Sequence, residues 1–129
     1  MKKIALSLVL GTTLLFAGWA KNYDEALERA EKEQKIVMVM LSSEGCPACE
    51  YMKDVVFDDD NVMTELDAGF VPVEIDIHNQ FVPSGLGYIG TPTFHFLKPD
   101  GKKVERLDGG ANVMDFTTKM REAKTAARK

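Results

Sequence analysis

The 129-residue chain is predicted to fold as a single α/β domain, and three patterns in the sequence indicate this class. A continuous apolar run at residues 36–41 is typical of a β-strand buried on both faces. Apolar side chains recur at helical spacing in residues 23–30 and again near the end of the chain in residues 113–123. Strand-like segments at 93–97 and 102–107 flank a Lys-Pro-Asp-Gly turn, which predicts a β-hairpin. The length of the chain suits one such domain and is too short for two.

The first and last helices are each predicted to begin after an asparagine. Asn22 is a suitable N-cap for a helix that ends near Lys35, and Glu25 is its expected capping-box partner. Asn112 can cap the last helix in the same way. The inner faces of these two helices are expected to be Tyr23, Ala26, Leu27 and Ala30, then Val113, Phe116, Met120 and Ala123.

The middle of the chain predicts two further helices and a second strand. The acidic run at residues 58–61 is expected to end one helix and cap the next. The run does not fit a calcium loop, because Val62 stands where a third oxygen ligand would be needed. Residues 70–76 predict a strand, and the glycines and Pro83 that follow predict an irregular loop. The inner faces of the two helices are expected to be Met52, Val55, Val56 and Phe57, then Val62, Met63 and Leu66.

Residues 1–20 have the three parts of a secretory signal peptide. Two lysines precede an apolar run at residues 4–17, and Gly18-Trp19-Ala20 has the small-x-small form of a cleavage site. We therefore expect a cleaved signal peptide at residues 1–20 and a mature domain at residues 21–129, located in the periplasm or secreted. An uncleaved anchor and a buried helix are the alternatives, although polar residues interrupt the run and make it a poor membrane span.

The charge balance argues against nucleic acid as a partner. The chain has 16 basic and 20 acidic residues and a formal net charge of −4. Cleavage of the signal peptide would remove two of the lysines and make the net charge more negative. No basic stripe is then left to neutralise phosphates. Nothing in the sequence requires more than a monomer. The basic residues near the C-terminus are expected to complement the negative end of the last helix: Lys119, Arg121, Lys124, Arg128 and Lys129.

The two cysteines of the chain, Cys46 and Cys49, enclose Pro47 and Ala48 directly after the buried strand. They open a predicted helix, where unpaired N–H groups and the helix dipole stabilise a thiolate and lower its pKa below that of a free thiol. A disulfide that closes so short a loop removes little entropy from the unfolded chain, so a structural cross-link is the weaker interpretation. In an oxidising compartment the pair is expected to be redox-active, with Cys46 as nucleophile and Cys49 as resolving thiol.

The order of these elements, with Thr91-Pro92-Thr93 before the hairpin, resembles the thioredoxin fold over nearly all of the predicted mature chain. Segments 43–50, 56–59 and 70–73 are most similar to exported thioredoxin-like proteins. Those include the periplasmic thioredoxins linked to sulfur oxidation and the C-terminal domain of the transmembrane Dsb thiol reductase. The resemblance implies a central mixed β-sheet flanked by helices, and a thiol:disulfide oxidoreductase with no cofactor beyond its own Cys46–Cys49 disulfide.

The resemblance also implies roles for individual residues. Cys46 would be the exposed nucleophile that forms a mixed disulfide with the substrate, and Cys49 the buried thiol that resolves it. Pro92 would be a cis-proline facing the dithiol, so that the backbone of Thr91 can pair with a substrate strand. A trans Pro92 that merely ends a loop is the alternative. Pro47 and Ala48 would tune the redox potential.

Two departures from the thioredoxin pattern leave the proton route open. Gly45 stands where the family usually has tryptophan, and Met40 stands where it has a buried aspartate that helps to move the proton of the second cysteine. Glu44 is a candidate for tuning the site by relaying protons through water, or is an exposed loop acid. His95 either tunes the thiolate or is a hydrogen-bonded structural histidine.

The expected direction is reduction of disulfides in protein substrates, with a membrane thiol reductase as electron donor. It rests on the resemblance to the domain of the transmembrane reductase, and on the absence of the additional helical domain of the broad-substrate Dsb oxidase. A disulfide oxidase or isomerase is the alternative, because roughly 7 kcal/mol separates reducing from oxidising members and a few hydrogen bonds can supply it.

Tyr88 and Ile89 are candidates for an apolar rim that receives substrate, or close the core.

Two interpretations of other classes compete with catalysis. In a soft-metal module, copper would be held by the cysteines with His78 or His95, but the histidines lie far apart on different predicted elements. A non-catalytic scaffold would need neither cysteine. The seven methionines could also suggest copper, but Met1 would leave with the signal peptide and the other six fit core positions: Met38, Met40, Met52, Met63, Met114 and Met120.

Overall fold

The computed structural model describes residues 18–129, so most of the predicted signal peptide lies outside the described residues. Within residues 18–129, no helix is long and apolar enough to cross a membrane. The elements are α1 (Tyr23–Glu33), β1 (Ile36–Ser42), α2 (Pro47–Tyr51) continued by a π-helical turn (Met52–Val56), α3 (Asp60–Gly69), β2 (Phe70–Asp76), β3 (Thr93–Leu97), β4 (Lys103–Asp108) and α4 (Val113–Ala127).

The four strands form one mixed sheet in the order β2-β1-β3-β4. Strand β1 is parallel to β2 and antiparallel to β3, and β4 is antiparallel to β3. Every residue of β1 is buried, as the continuous apolar run predicts. The predicted fold, a central mixed sheet flanked by helices in one domain, is confirmed.

Alternate residues of β1 face two separate cores, because successive side chains of a strand point to opposite faces. Val37, Val39 and Leu41 face the core closed by α1. The even-numbered residues, such as Met38 and Met40, face the core that contains both cysteines. This second core is closed by four phenylalanine rings in edge or tilted contact, Phe57, Phe94, Phe96 and Phe116.

The caps predicted from sequence form, with one shift. The side chain of Asn22 accepts from the N–H of Glu25, Asn112 caps α4, and the acidic run caps α3 through Asp59. The carboxylate of Glu25 accepts from the N–H of Lys21 instead of that of Asn22. The capping interactions therefore extend one residue further toward the N-terminus than a capping box would.

Three predicted core positions are wrong. Val55 is 47% exposed because the helix after Tyr51 widens into a π turn, and this rotates the following residues away from α-helical register. Met63 and Met114 are also exposed, because the buried faces of their helices are formed by Val62 and Leu66 in α3 and by Phe116, Met120 and Ala123 in α4. Their exposure removes two of the six methionines from the predicted core.

Residues 18–20, which the predicted cleavage would remove, contact the domain. The N–H of Ala20 donates to the carbonyl of Pro72 on the outer edge of β2 at 2.8 Å, and Ala20 is buried. The ring of Trp19 packs edge-on against Phe57 with centroids 5.2 Å apart. Arg29 donates from Nη2 to the carbonyl of Gly18 at 3.1 Å.

Candidate functional site

The dithiol lies at the start of α2, at the end of the central strand. Cys46 and Cys49 form a disulfide, with their Cα atoms 5.2 Å apart. Cys46 is the N-cap residue, and its extended backbone lets Pro47 occupy the first helical position, where no N–H is needed. The N–H of Cys49 donates to Sγ of Cys46 at 3.1 Å. After reduction this N–H is placed to stabilise a thiolate on Cys46.

The two sulfurs differ in accessibility. Cys46 is 8% exposed and Cys49 is 1% exposed, so both are largely covered in the disulfide form. Cys46 is less open than an exposed nucleophile would be, but it is the more accessible of the two. Pro47 and Ala48 are exposed beside it and form the outer surface of the site. A substrate disulfide can therefore reach Cys46 more readily than Cys49.

Thr91 and Pro92 lie directly against the dithiol although they are far from it in sequence. The Thr91–Pro92 peptide bond is cis. The carbonyl oxygen of Thr91 lies 3.5 Å from Sγ of Cys46. The hydroxyls of Ser43 and Thr91 are hydrogen-bonded at 2.6 Å. The structure thus brings together the predicted catalytic and substrate-binding residues.

The backbone conformation at Gly45 accounts for the glycine that stands where the thioredoxin pattern has tryptophan. Its φ angle is +72°, in the left-handed region that L side chains rarely adopt. A tryptophan at this position would need a different backbone path into α2. Glycine lets the chain turn sharply between β1 and the dithiol.

The loop between β4 and α4 packs against the base of the dithiol helix, a contact that the sequence analysis did not identify. A side chain added at Gly110 would meet Sδ of Met52 at 3.6 Å and Cβ of Ala48 at 3.7 Å. The N–H of Ala111 donates to Sδ of Met52 at 3.4 Å. The paired glycines before Asn112 were the available sequence signal, since glycine often marks a close backbone approach.

The loop from residue 77 to residue 92 has no helix or strand, but side chains from β3 and β4 hold its carbonyls. Thr93 Oγ1 donates to the carbonyl of Gly90 at 2.7 Å, and Lys103 Nζ donates to that of Gly85 at 2.7 Å. His95 Nε2 lies 2.7 Å from the carbonyl of Gly87 and donates to it, because a carbonyl can only accept. The loop that ends in Thr91 is therefore fixed to the sheet at three glycines.

His95 is completely buried, and its surroundings favour the neutral imidazole. Burial lowers its pKa from the ordinary value of 6.5, and the positive charges of Arg106 and Lys103 act in the same direction. The Gly87 carbonyl and Asp108 oppose this shift in pKa. Nδ1 of His95 is buried and has no hydrogen-bond partner among residues 18–129. The structural role of His95, holding the loop, is thus the one that the geometry supports.

A polar cluster beside α2 also lay outside the sequence predictions. Ser42 Oγ donates to Glu74 Oε2 at 2.7 Å, and Lys53 Nζ donates to the same oxygen at 3.0 Å. The hydrogen bond to Glu74 raises the pKa of Lys53.

Glu44, the acid considered from sequence, is exposed on the loop before Cys46. Met40, noted from sequence as a departure from the thioredoxin pattern, is fully buried.

The metal-site alternative receives no support from the part of the chain that is described. In residues 18–129, no group of three or more His, Cys, Asp and Glu side chains is arranged to hold a metal ion. His95 is engaged with Gly87, and His78 is exposed after β2. The two cysteines are joined to each other.

Known proteins match both the sequence and the fold. A family model described as a thioredoxin-like domain matches residues 23–124. A thioredoxin from Thermus thermophilus is 31% identical, and the match covers 84% of this chain and 88% of that chain with a TM-score of 0.70. No curated protein matches the chain in sequence.

Two more distant structures share the fold. The oxidised C-terminal domain of DsbD from Neisseria meningitidis is 20% identical, with 80% of this chain and 88% of that chain covered and a TM-score of 0.57. A protein titled DsbH oxidoreductase is 18% identical, with 95% of each chain covered and a TM-score of 0.65.

The fold, the family match and the Cys46–Cys49 disulfide together define a thiol:disulfide oxidoreductase. Proteins of this class use the redox-active disulfide itself and need no added cofactor. The chain belongs to the thioredoxin-like family.

Proposed function

We propose that this protein is exported and reduces disulfides in protein substrates through its Cys46–Cys49 pair. The observation that carries the proposal is the position of the Cys46 sulfur. It lies 3.1 Å from the N–H of Cys49 and 3.5 Å from the carbonyl of Thr91. The first contact stabilises a thiolate after reduction, and the second places that sulfur beside a backbone suited to pairing with a substrate strand.

The reaction follows from these positions. In the reduced protein, the Cys46 thiolate attacks one sulfur of the substrate disulfide, the substrate S–S bond breaks, and the other substrate sulfur leaves as a thiolate. The Cys49 thiolate then attacks Sγ of Cys46, which releases the second substrate sulfur and forms the Cys46–Cys49 disulfide. Two electrons pass from the protein to the substrate.

Substrate docking is proposed at the surface around Thr91 and Pro92. An extended substrate segment pairs with the backbone of Thr91, in the manner of strand addition to an exposed edge. Ile89 is 93% exposed and Tyr88 is partly exposed in the same loop, so neither closes the core. They are proposed to supply an apolar rim for substrate, two and three residues before Thr91.

The electron donor is proposed to be a membrane thiol reductase. A reductant in an oxidising compartment is itself oxidised at each turnover, so its disulfide must be reduced again from outside that compartment. The predicted leader at residues 1–20 and the resemblance to exported thioredoxin-like proteins support this arrangement. The protein is proposed to act as a monomer.

Activity and direction are tested by two measurements on the purified protein. We expect catalysis of insulin reduction by dithiothreitol, lost in Cys46→Ser, while Cys49→Ser accumulates a mixed disulfide because its resolving thiol is absent. Retained catalysis in Cys46→Ser would contradict the proposed nucleophile. In a redox buffer we expect a potential similar to that of thioredoxin, about −270 mV, and a value of about −120 mV would reverse the proposed direction.

A further inference from the structure

Cys49 needs a proton acceptor to act as the resolving thiol. The thiolate is the attacking form, so Cys49 must lose its proton before it can resolve a mixed disulfide. Burial opposes that ionisation, and Cys49 is 1% exposed. Within residues 18–129 no Asp or Glu is among the buried residues, and Met40, in the same core as Cys49, cannot accept a proton.

The strand register places Glu74 on the same side of the sheet as Cys49. Met40 pairs with Glu74 across the parallel strands β1 and β2. Residues paired in this way direct their side chains to the same face of the sheet. Met40 belongs to the core that also contains Cys49. Glu74 therefore lies at the margin of that core, beside Met40.

Two hydrogen bonds hold the Glu74 carboxylate against the helix that carries Cys49. Ser42, which is buried at the end of β1, donates to Oε2 at 2.7 Å, and Lys53 donates to the same oxygen at 3.0 Å. Lys53 follows Cys49 by one helical turn on the continuous helix of α2 and its π turn. The carboxylate side chain keeps about a third of its surface exposed, at 32%, so water can reach it.

We propose that Glu74 accepts the proton of Cys49 through a water molecule during resolution. The proton leaves Sγ of Cys49, a water passes it on, and a carboxylate oxygen of Glu74 takes it up. The thiolate then forms a bond to Sγ of Cys46, the mixed disulfide breaks, and the substrate leaves as a thiolate. Glu74 returns its proton to solvent. Ser42 and Lys53 are positioning residues that keep the carboxylate on this side of the sheet. This inference rests on the proposed function.

The test uses a disulfide that reports each step separately. Reduced protein mixed with 5,5′-dithiobis(2-nitrobenzoate) releases one coloured thiolate when Cys46 attacks and a second when Cys49 resolves the mixed disulfide. In Glu74→Gln the second phase is expected to slow by about tenfold near neutral pH, while the first changes by less than about twofold. The rate difference between wild type and Glu74→Gln in the second phase is expected to shrink as pH rises, because hydroxide can then accept the proton in place of Glu74.

Glu50→Gln is the matched control. It makes the same charge change, and Glu50 also lies near Lys53, at 3.9 Å, but its side chain is 61% exposed. Both phases of Glu50→Gln are expected to match those of the wild type within about twofold. Glu74→Asp keeps a carboxylate and is expected to recover most of the second phase, with the wild-type pH dependence. If Glu74→Gln fails to fold, Glu74→Ala takes its place: a second phase slowed about tenfold with an unchanged first phase supports the inference, and an unchanged second phase opposes it.

Two results would overturn the inference. One is an unchanged second phase in Glu74→Gln, and the other is an equal slowing of both phases, which indicates a structural effect of the substitution. Failure of the proposed function looks different, because wild-type protein would then show no fast first phase.

Discussion

The hydroxyl oxygens of Ser43 and Thr91 lie 2.6 Å apart, although 48 residues separate them along the chain. Ser43 belongs to the loop that enters the dithiol, and Thr91 precedes the cis-proline. This hydrogen bond joins the two loops of the site directly. It fixes the distance between the reactive sulfur and the backbone proposed to bind substrate.

We expect this pair to be coupled energetically. Ser43→Ala and Thr91→Val should each lower the free energy of unfolding by about 1 kcal/mol, since each removes one partner of a partly buried hydrogen bond. The double variant should lose about 0.5–1.5 kcal/mol less than the sum of the single losses. Denaturant unfolding of the four proteins gives the coupling energy. Strictly additive losses would show that the two hydroxyls do not stabilise each other.

Stability is expected to fall on mild acidification because of His95. Its pKa in the folded protein is below the ordinary value of 6.5, chiefly because of burial, so the unfolded chain binds the proton more readily. The stabilisation from neutral His95 is therefore complete above pH 6.5 and is lost as pH falls toward the lower, folded-state pKa. The measurement is the free energy of unfolding between about pH 7.5 and pH 5.

Two variants isolate the contribution of His95. His95→Gln keeps a donor for Gly87 but cannot titrate, so its stability should vary less with pH than that of the wild type. His78→Asn changes an exposed histidine and should leave the wild-type pH dependence in place. Asp76, whose pKa is lowered from 3.8 mainly by the N–H of His78, titrates below this pH range. An identical pH dependence in His95→Gln and wild type would refute the assignment.

Gly45→Ala is expected to destabilise the protein by about 1–2 kcal/mol, because φ at this position is +72° and a side chain is strained there. Gly90→Ala is the matched control. Its φ is outside the left-handed region, and a Cβ would meet no atom within 4 Å. The control should change stability by less than about 0.5 kcal/mol. Equal effects of the two substitutions would mean that backbone strain is not the cause.

The contacts of residues 18–20 predict a dependence of stability on the N-terminus. A chain that begins at Gly18 should be more stable than one that begins at Lys21 by about 2 kcal/mol, because the shorter chain lacks the Trp19 ring against Phe57 and the Ala20 hydrogen bond to Pro72. Denaturant unfolding measures the difference. Trp19→Phe should retain most of the ring contact, whereas Trp19→Ala should not.

This result bears on processing of the predicted leader. Cleavage after Ala20, as predicted from sequence, would yield a mature protein without these contacts. An equal free energy of unfolding for the two chains would show that cleavage after Ala20 does not destabilise the domain. The N-terminal residue of the exported protein, read from its mass, identifies the position used.

Local patterns in the sequence predicted the elements well but not their long-range contacts. The residues predicted for β2 form that strand, and Asn22, Asp59 and Asn112 cap the helices, because these signals depend on neighbouring residues. Val55 was misplaced, since the π turn that exposes it has no local signal that we used.

The surroundings of Cys49 also depend on long-range contacts that local sequence patterns do not predict. The replacement of the family aspartate by Met40 was visible in the sequence. The presence of Glu74 beside Met40 was not visible in the sequence, because the two residues become neighbours only when β1 pairs with β2. Similarly, His95 was recognised as a candidate, but its partner Gly87 became apparent only once the loop was folded over β3.

The loop from residue 77 to residue 92 loses its freedom when the chain folds, through the bonds to Gly85, Gly87 and Gly90. A substrate that binds at Thr91, as proposed, would therefore meet a segment that is already ordered. The entropic cost of association then falls mainly on the partner. If substrate binds at Thr91 as proposed, extended and flexible chains would adapt to this rigid segment more readily than folded proteins would.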